Sequence, residues 1–406
     1  MIQEIKNIYH LGQAVLANIV YGFPGRRITV IGVTGTDGKT TTSSLIYHIL
    51  RASGKKAAMI TTIGAYIDGK VYDVGFHVTT PSPFALQKYL RQAADSGHTH
   101  VVLEVTSHAL DQNRAWGIPF RVGVLTNITH EHLDYHGTLE KYAQAKLKLL
   151  RASGVCVINK DDQSYEMMIF ELSGKKIISY ATKTTADVTP ITFQFETPIL
   201  GDFNTHNCLA AIAVTEELGI RNDQIRKALK SFSPPTGRQE IIHTKDFMVM
   251  IDFAHTPNAF AEILPEVRKI TKGRLIHVFG SAAKRDQTKR PIMGKLSARY
   301  ADIIVLTSED PRDEPPEKIC EEIMKGIPVA FHRVPISGFH NHKNKYLVFV
   351  EPDRKKAIAF TIGLAKKGDT VILTGKSHEK SMNYGYGEEP WDEFAVAREA
   401  LAKHVH

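Results

Sequence analysis

The chain has 406 residues, a formal net charge of +8, 43% apolar and 23% charged residues; this length predicts two or three domains with separate cores in a globular protein of ordinary composition. No apolar run approaches the ~18 residues of a membrane span, the first residues, with Glu4 and Lys6 and no small-residue cleavage site, make a poor signal peptide, and three scattered cysteines (Cys156, Cys208, Cys320) without C-x-x-C spacing predict a reducing cytoplasm rather than a disulfide frame or zinc site. Nucleic acid is not an expected partner, because no basic stripe with interleaved aromatics stands behind the charge; a solvated basic surface explains it, with some part available to a polyanionic nucleotide.

Residues 1–25 predict a short helical segment, one helix over 5–20, ended by Tyr21-Gly22-Phe23-Pro24-Gly25. The apolar, β-branched run 28–33 predicts a buried strand. It breaks into a glycine-rich turn, then Lys39-Thr40, then a helix over 41–50. Strand, glycine loop and helix start form a phosphate cradle: backbone N–H groups and the positive helix end face the anion, Lys39 reaches outer phosphates and the Thr40 hydroxyl holds Mg²⁺. Val33 stands where the usual G-x-x-x-x-G-K-T spacing has its first glycine. A tight strand-to-helix turn without a ligand is the plain alternative.

Strands at 55–62, 100–105, 121–127 and 155–159 alternate with helices at 83–94 and 139–152, which predicts a mostly parallel sheet with helices on both faces. Residues 175–200 read as irregular and β-rich, and 204–218 and 223–231 as helices. The breaker cluster 233–238, Ser-Pro-Pro-Thr-Gly-Arg, predicts the domain boundary. Beyond it strands at 247–252, 274–280, 302–307, 346–350 and 369–374 alternate with helices at 257–270, 291–300, 316–325 and 354–366. The expected fold class is therefore α/β: a P-loop-type central ATPase domain over 26–235 with a mostly parallel sheet, and a C-terminal Rossmann-like α/β domain over 236–406. Ligands of such sheets bind at the carboxyl ends of the strands.

Glu104 ends the strand over 100–105, where a Mg²⁺ ligand beside a phosphate loop belongs; a solvent-facing edge carboxylate is the alternative. After the strand over 121–127 come His130, Glu131, His132, Asp134 and His136, a density of histidines and acids that suggests a metal or phosphate site. In the following helix, Leu139, Tyr142, Ala143, Lys146 and Leu150 fall on one face. Lys146 thus sits inside the apolar stripe. A lysine aimed inward snorkels out, pairs with an acid, or is neutralised chemically; a deprotonated amine reacts with CO₂ to a carbamate, a carboxylate-like metal ligand.

These residues carry a family resemblance. Gly35-Thr-Asp-Gly-Lys-Thr-Thr-Thr42, Thr79-Thr-Pro81, Glu104 through Arg114, Thr126 through Gly137, Tyr142-Ala-Gln-Ala-Lys146, Gly201-Asp-Phe-Asn-Thr-His-Asn207, Gly237-Arg-Gln-Glu240, Asp252-Phe-Ala-His-Thr-Pro257, Arg285-Asp286, Asp310-Pro-Arg312 and Gly375-Lys-Ser-His-Glu379 occur in one order. Together they resemble the Mur ligases, nearest the MurE branch that adds the third amino acid of the peptidoglycan stem. The resemblance implies an ATP-dependent amide ligase of the cytoplasm, expected as a monomer, with ATP as co-substrate and two Mg²⁺ ions.

It also implies roles. Gly35, Thr36, Asp37, Gly38, Lys39, Thr40 and Thr41 would hold ATP phosphates, with Asn204 and Asn207 toward the adenine and Asp252 and His255 also on the nucleotide. Thr40 and Glu104 would ligate one Mg²⁺, His132 and a carbamylated Lys146 the second. Arg238 would reach the γ-phosphate, so that Lys39, Lys146, Arg238 and His132 are the catalytic set. Thr79, Thr80, Ser107, Gln112 and Arg114 would grip a nucleotide-sugar peptide, the UDP-muramoyl-dipeptide, and Asp310, Arg312, Gly375 and Glu379 the incoming amino acid, where Arg reads a carboxylate and Glu an ammonium. ATP would convert the acceptor carboxylate to an acyl phosphate, which the amine attacks.

Three departures from the pattern stand out. About 30 residues precede the phosphate loop, where the MurE branch carries a uridine-binding domain. Asp310 stands where diaminopimelate-adding members have Asn; Arg312 favours an amino acid with a distal carboxylate. Ser377 replaces a glycine. The alternatives are a Mur-superfamily ligase for a UDP-free acceptor, such as a folylpolyglutamate-synthetase-like enzyme, and a non-catalytic nucleotide-binding subunit. The last requires a broken metal site, whereas Lys39, Thr40, Glu104, His132 and Lys146 are all present.

Overall fold

The structure, a computed structural model, describes residues 2–75, 79–129, 131, 133–284, 286–337, 339 and 346–404. The chain divides into two compact units, Met1–Pro235 and Thr236–His406. Among the described residues no helix is long and apolar enough to cross a membrane.

In the first unit the elements run α1 (Ile2–Tyr21), β1 (Thr29–Thr34), α2 (Lys39–Ala52), β2 (Ala57–Thr61), β3 (Gly64–Ile67), β4 (Lys70–Tyr72), α3 (Pro83–Asp95), β5 (His100–Glu104), α4 (Ser107–Asp111), β6 (Phe120–Leu125), α5 (Leu133–His136), α6 (Leu139–Arg151), β7 (Ser153–Asn159), α7 (Tyr165–Glu171), β8 (Lys176–Tyr180), α8 (Asp202–Glu217) and α9 (Asn222–Lys230). The strands form one sheet in the order β4-β3-β2-β5-β1-β6-β7-β8. Only the β2-β3-β4 edge is antiparallel. Short apolar strands such as β1 and β5 are buried on both faces, as a sheet covered by helices on two sides requires. Local signals set the helix starts: Ser82 caps α3 ahead of Pro83, and the Thr138 hydroxyl accepts from Lys141 N–H at the head of α6.

β1 is the pivot. It lies between β5 and β6, and its register pairs Val33 with Glu104 on one side and Thr34 with Leu125 on the other. The chain leaves β1 for β2 on one flank and returns later to β6 on the other. The crevice over the carboxyl end of β1 is thus a topological switch point, where such sheets bind ligands. Val30, Ile31 and Val33 are fully buried beneath it.

The second unit runs β9 (Glu240–His243), β10 (Met248–Asp252), α10 (Pro257–Ile270), β11 (Leu275–Phe279), α11 (Lys289–Tyr300), β12 (Ile303–Leu306), α12 (Pro316–Met324), β13 (His332–Arg333), β14 (Leu347–Val350), α13 (Arg354–Leu364), β15 (Thr370–Thr374), β16 (Ser381–Asn383), β17 (Glu388–Pro390) and α14 (Glu393–His404). Its main sheet has the order β13-β14-β12-β11-β15-β10-β9, parallel except for the edge strand β9. β16 and β17 form a separate ribbon. Asp252 pairs with Thr374, and Phe279 with Leu306. The loops after β10, β11, β12 and β15 therefore leave the same edge of the sheet.

Candidate active site

The phosphate loop is hung from the end of β6. Thr36 N–H donates to the Asn127 carbonyl at 2.9 Å, Asp37 N–H to Asn127 Oδ1 at 2.9 Å, and Thr126 Oγ1 to the Asp37 carbonyl at 2.6 Å. Gly38 turns the chain into α2 with φ 80°, a left-handed value that a side chain rarely adopts. A Cβ there would also collide with Asn207 Oδ1. Gly38→Ala is expected to weaken nucleotide binding at least tenfold, as an anion cradle of backbone N–H groups loses its shape; equilibrium titration with a fluorescent ATP analogue reads this, and unchanged affinity refutes it.

Lys39 Nζ donates to the Thr36 carbonyl at 2.7 Å, curling over the loop. Thr40 Oγ1 donates to Glu104 Oε2 at 3.0 Å. Glu104 is 1% exposed, and Thr62 reaches its two oxygens through N–H and Oγ1, each at 3.3 Å. A buried carboxylate is tolerated where donors meet it. A hydroxyl and a carboxylate side by side at the loop are hard oxygen ligands, and they fit Mg²⁺. Among the described residues no group of three or more His, Cys, Asp or Glu is gathered for a metal.

Lys146 lies on the buried face of α6, as the periodicity predicts, and is 1% exposed. It does not snorkel to solvent, and among the described residues it does not end on a carboxylate. Its Nζ donates to the Gly35 carbonyl at 2.6 Å and sits 4.3 Å from the Tyr142 ring centroid. Tyr142 in turn shares a hydrogen bond with Thr36 Oγ1 at 3.1 Å. Burial, with Lys39 close by, pushes the amine well below the ordinary lysine range, against the pull of Glu131 and Asp37. The neutral amine is the form that reacts with CO₂. His130 and His132 lie outside the described residues.

Asn204 and Asn207 lie on α8 and are buried. Asn207 Nδ2 donates to Asn204 Oδ1 at 3.0 Å, Asn204 Nδ2 to the Leu200 carbonyl at 2.7 Å, and Thr42 Oγ1 to Asn207 Oδ1 at 3.1 Å. Here they tie α8 to the phosphate-loop helix, alongside Thr41, which is also buried. On the other side of Glu104, Thr79 Oγ1 accepts from Thr62 Oγ1 at 3.0 Å, and Thr80 Oγ1 donates to the Glu104 carbonyl at 3.1 Å. Arg114 donates to Gln112 Oε1 at 2.8 Å and to the Thr80 carbonyl at 3.1 Å. Ser107 Oγ lies 3.0 Å from His136 Nε2. Thr80 thus ties Arg114 and Gln112 to the end of β5 at Glu104, Thr79 reaches the same carboxylate through Thr62, and Ser107 opens α4 just beyond it.

In the second unit Asp252 ends β10, and its carboxylate accepts from Gln239 N–H at 2.8 Å and Ala254 N–H at 2.7 Å. Burial pushes this carboxyl up, opposed by Arg238. The Arg238 guanidinium stands 4.5 Å over the Phe253 ring. His255 Nδ1 donates to the Phe253 carbonyl at 2.8 Å, and Lys289 Nζ to the His255 carbonyl at 2.8 Å. Asp310 and Glu379 meet through Lys376, whose buried Nζ lies 2.8 Å from Asp310 Oδ1 and 2.7 Å from Glu379 Oε2. Arg312 follows on the same loop with φ 50°, and Gly375 opens the Lys376 loop. Arg285 lies outside the described residues.

The sequence motifs assign no role to three residues of this edge. Lys376 is one; a lysine just past the glycine that ends an apolar strand is its signal. Glu309 is another, 6% exposed with its carboxyl pushed up by burial. The third is His378, whose ring nitrogens are both buried without a hydrogen-bond partner among the described residues, and which burial pushes down to about 3.

A phosphate loop at the switch point of one sheet, joined in sequence to a second doubly wound unit, defines a P-loop-type ligase architecture. The Mur ligase middle domain matches residues 33–215 and the Mur ligase glutamate ligase domain residues 237–377. A UDP-N-acetylmuramoyl-L-alanyl-D-glutamate–2,6-diaminopimelate ligase of Aquifex aeolicus is 39% identical over 403 residues, 95% of this chain and 80% of that protein. A solved structure of a ligase with that name is 31% identical, with a TM-score of 0.62 over 93% of this chain and 79% of that one. Folylpolyglutamate synthase of Mycobacterium tuberculosis shares the fold, with a TM-score of 0.70 at 17% identity over 96% of this chain and 95% of that one. The chain belongs to the Mur ligase family, near its MurE branch, and is an ATP-dependent, ADP-forming amide ligase.

Proposed function

We propose that this ligase joins meso-diaminopimelate to UDP-N-acetylmuramoyl-L-alanyl-D-glutamate, forming the third peptide link of the peptidoglycan stem. The observation that carries the reading is the placement of Glu104 and Lys146 on opposite flanks of one phosphate loop, against Thr40 and Gly35. Thr40 and Glu104 would hold one Mg²⁺ and a carbamylated Lys146, with His132, a second; bound there, the ions offset charge on the transferring phosphoryl group.

The chain's own residues supply the rest. Lys39 and the loop N–H groups hold the phosphates, and Arg238 adds positive charge at the γ-phosphate. Ser107, Gln112 and Arg114 orient the acceptor, whose carboxylate oxygen takes the γ-phosphoryl group from ATP as ADP departs. The amine of the incoming amino acid then attacks the acyl phosphate, and inorganic phosphate leaves. Asp310 departs from the Asn of diaminopimelate-adding members, but Lys376 meets its charge. Arg312 is left to read a distal carboxylate bidentately, while Glu379 reads an ammonium.

The test is phosphate release by the purified protein with Mg²⁺, ATP and the UDP-muramoyl-dipeptide, across diaminopimelate, lysine, ornithine and glutamate. Diaminopimelate is expected to exceed lysine in kcat/KM by about 10⁴-fold, the scale of a missing polar partner in a site built to receive it. Turnover with lysine alone, or with none of the four, sinks the assignment. Arg312→Ala is expected to remove most of the preference, read as the ratio of the two kcat/KM values.

A further inference from the structure

The loop after β15 reaches two places at once. Lys376 bridges Asp310 and Glu379 of the proposed amino-acid pocket. Ser377 Oγ donates to the Gly237 carbonyl at 2.7 Å. The His378 ring packs at a tilt against Phe253 with centroids 4.7 Å apart, and Arg238 stands over the same ring. Three consecutive side chains thus face the amino-acid pocket, the backbone just before Arg238, and the ring under Arg238.

The backbone of this junction is strained. Ser377 is 1% exposed and holds φ 48°, a left-handed value at a position where the Mur ligase pattern has glycine. Such a residue persists only where its surroundings over-determine it, and such strain gathers at functional sites. Gly237 has φ 74°, and a Cβ on it would collide with Ser377 Oγ. Gln239, just past Arg238, is also left-handed at φ 49°. The turn is held on three sides: Glu240 accepts from Gly237 N–H at 2.9 Å, Asp252 from Gln239 N–H at 2.8 Å, and Ser377 donates from the third.

We propose that Ser377 is a positioning residue that couples the amino-acid pocket to Arg238, so that filling one subsite orders the other. The hydroxyl makes a rigid strut of a loop that glycine would leave free. An amino acid that engages Asp310 and Glu379 bears on Lys376, and through the next residue on the Gly237–Arg238 turn. Linkage makes the effect reciprocal: a nucleotide held by Arg238 tightens the amino-acid pocket. This rests on the pocket assignments made above.

Calorimetry measures the coupling on the whole chain, with the UDP-muramoyl-dipeptide present. Diaminopimelate is titrated with and without a non-hydrolysable ATP analogue. The wild-type protein is expected to bind diaminopimelate at least about fivefold tighter with the analogue. Ser377→Ala and Ser377→Gly are both expected to reduce that factor below about twofold, the glycine variant doing so while relieving the backbone strain. Hydrogen exchange at 237–240 should slow on amino-acid binding in the wild type only. Coupling that survives in both variants, or is missing from a wild-type enzyme with normal turnover, overturns the inference and leaves the function standing. A wild-type enzyme that uses none of the tested amino acids removes both.

Discussion

Lys146→Ala is expected to lower kcat by about 10²–10³-fold, the scale of losing one preorganised electrostatic contact to the transferring group. The side chain is buried, its amine bonds only the Gly35 carbonyl among the described groups, and burial with Lys39 nearby favours the neutral form. A permanent ammonium there would add positive charge without ligating a metal. A carbamate would place an oxygen ligand against the phosphate loop. Lys146→Arg separates the two, since it keeps the charge and cannot take up CO₂. It should be as inactive as the alanine variant. The alanine variant also leaves a cavity beside Gly35, into which acetate or propionate can bring a carboxylate, and partial rescue by these ions is expected. ¹³C NMR of protein exchanged with labelled bicarbonate should show one carbamate signal in the wild type and none in either variant. Full activity of Lys146→Arg, or an unlabelled wild-type protein, rules out the carbamate.

What was legible in the sequence was whatever local chemistry dictates. The β-branched run into Gly38-Lys39-Thr40 can be little other than strand, tight loop and helix start, and β1 and α2 are found there. The inward place of Lys146 follows from period alone. The β3–β4 hairpin was not read, although Asp68-Gly69 between Ala65-Tyr-Ile67 and Lys70-Val-Tyr72 carries its signal; both turn residues have positive φ, 52° and 74°. α14 was missed as well, with Phe394, Ala397 and Leu401 forming its buried stripe. Other features could not be read, because they pair residues remote in sequence. Ser377 meets Gly237 across 140 positions, Lys376 meets Asp310 across 66, and Thr42 meets Asn207 across 165. Only the registers of two sheets bring these together.

The largest expected stability effect also lies beneath the proposed amino-acid pocket. Arg354 and Glu393 are both fully buried. Arg354 Nε donates to Glu393 Oε2 at 2.9 Å, and Trp391 Nε1 donates to the same oxygen at 2.8 Å. The guanidinium also donates to the Ser308 carbonyl at 3.1 Å and the Thr374 carbonyl at 2.7 Å. Ser308 and Thr374 are the last residues before Glu309-Asp310 and Gly375-Lys376, so one cation pins the roots of both pocket loops. A buried pair is not strongly stabilising in itself, but removing one partner strands a charge, at about 3–5 kcal/mol. Glu393→Gln, nearly isosteric, should therefore lower stability by that amount in denaturant titration followed through Trp391 fluorescence. Arg354→Met with Glu393→Leu should recover much of the loss, because no charge is left buried. The double variant nevertheless lacks the donors to Ser308 and Thr374. Its KM for the amino acid should stay raised about tenfold, one lost charged hydrogen bond's worth, with the KM for ATP little changed. Stability and pocket geometry then part company in one protein, which they cannot do if the pair only holds the second unit together. A double variant with native KM, or a single variant that loses less than about 1 kcal/mol, shows that this pair does not anchor the pocket.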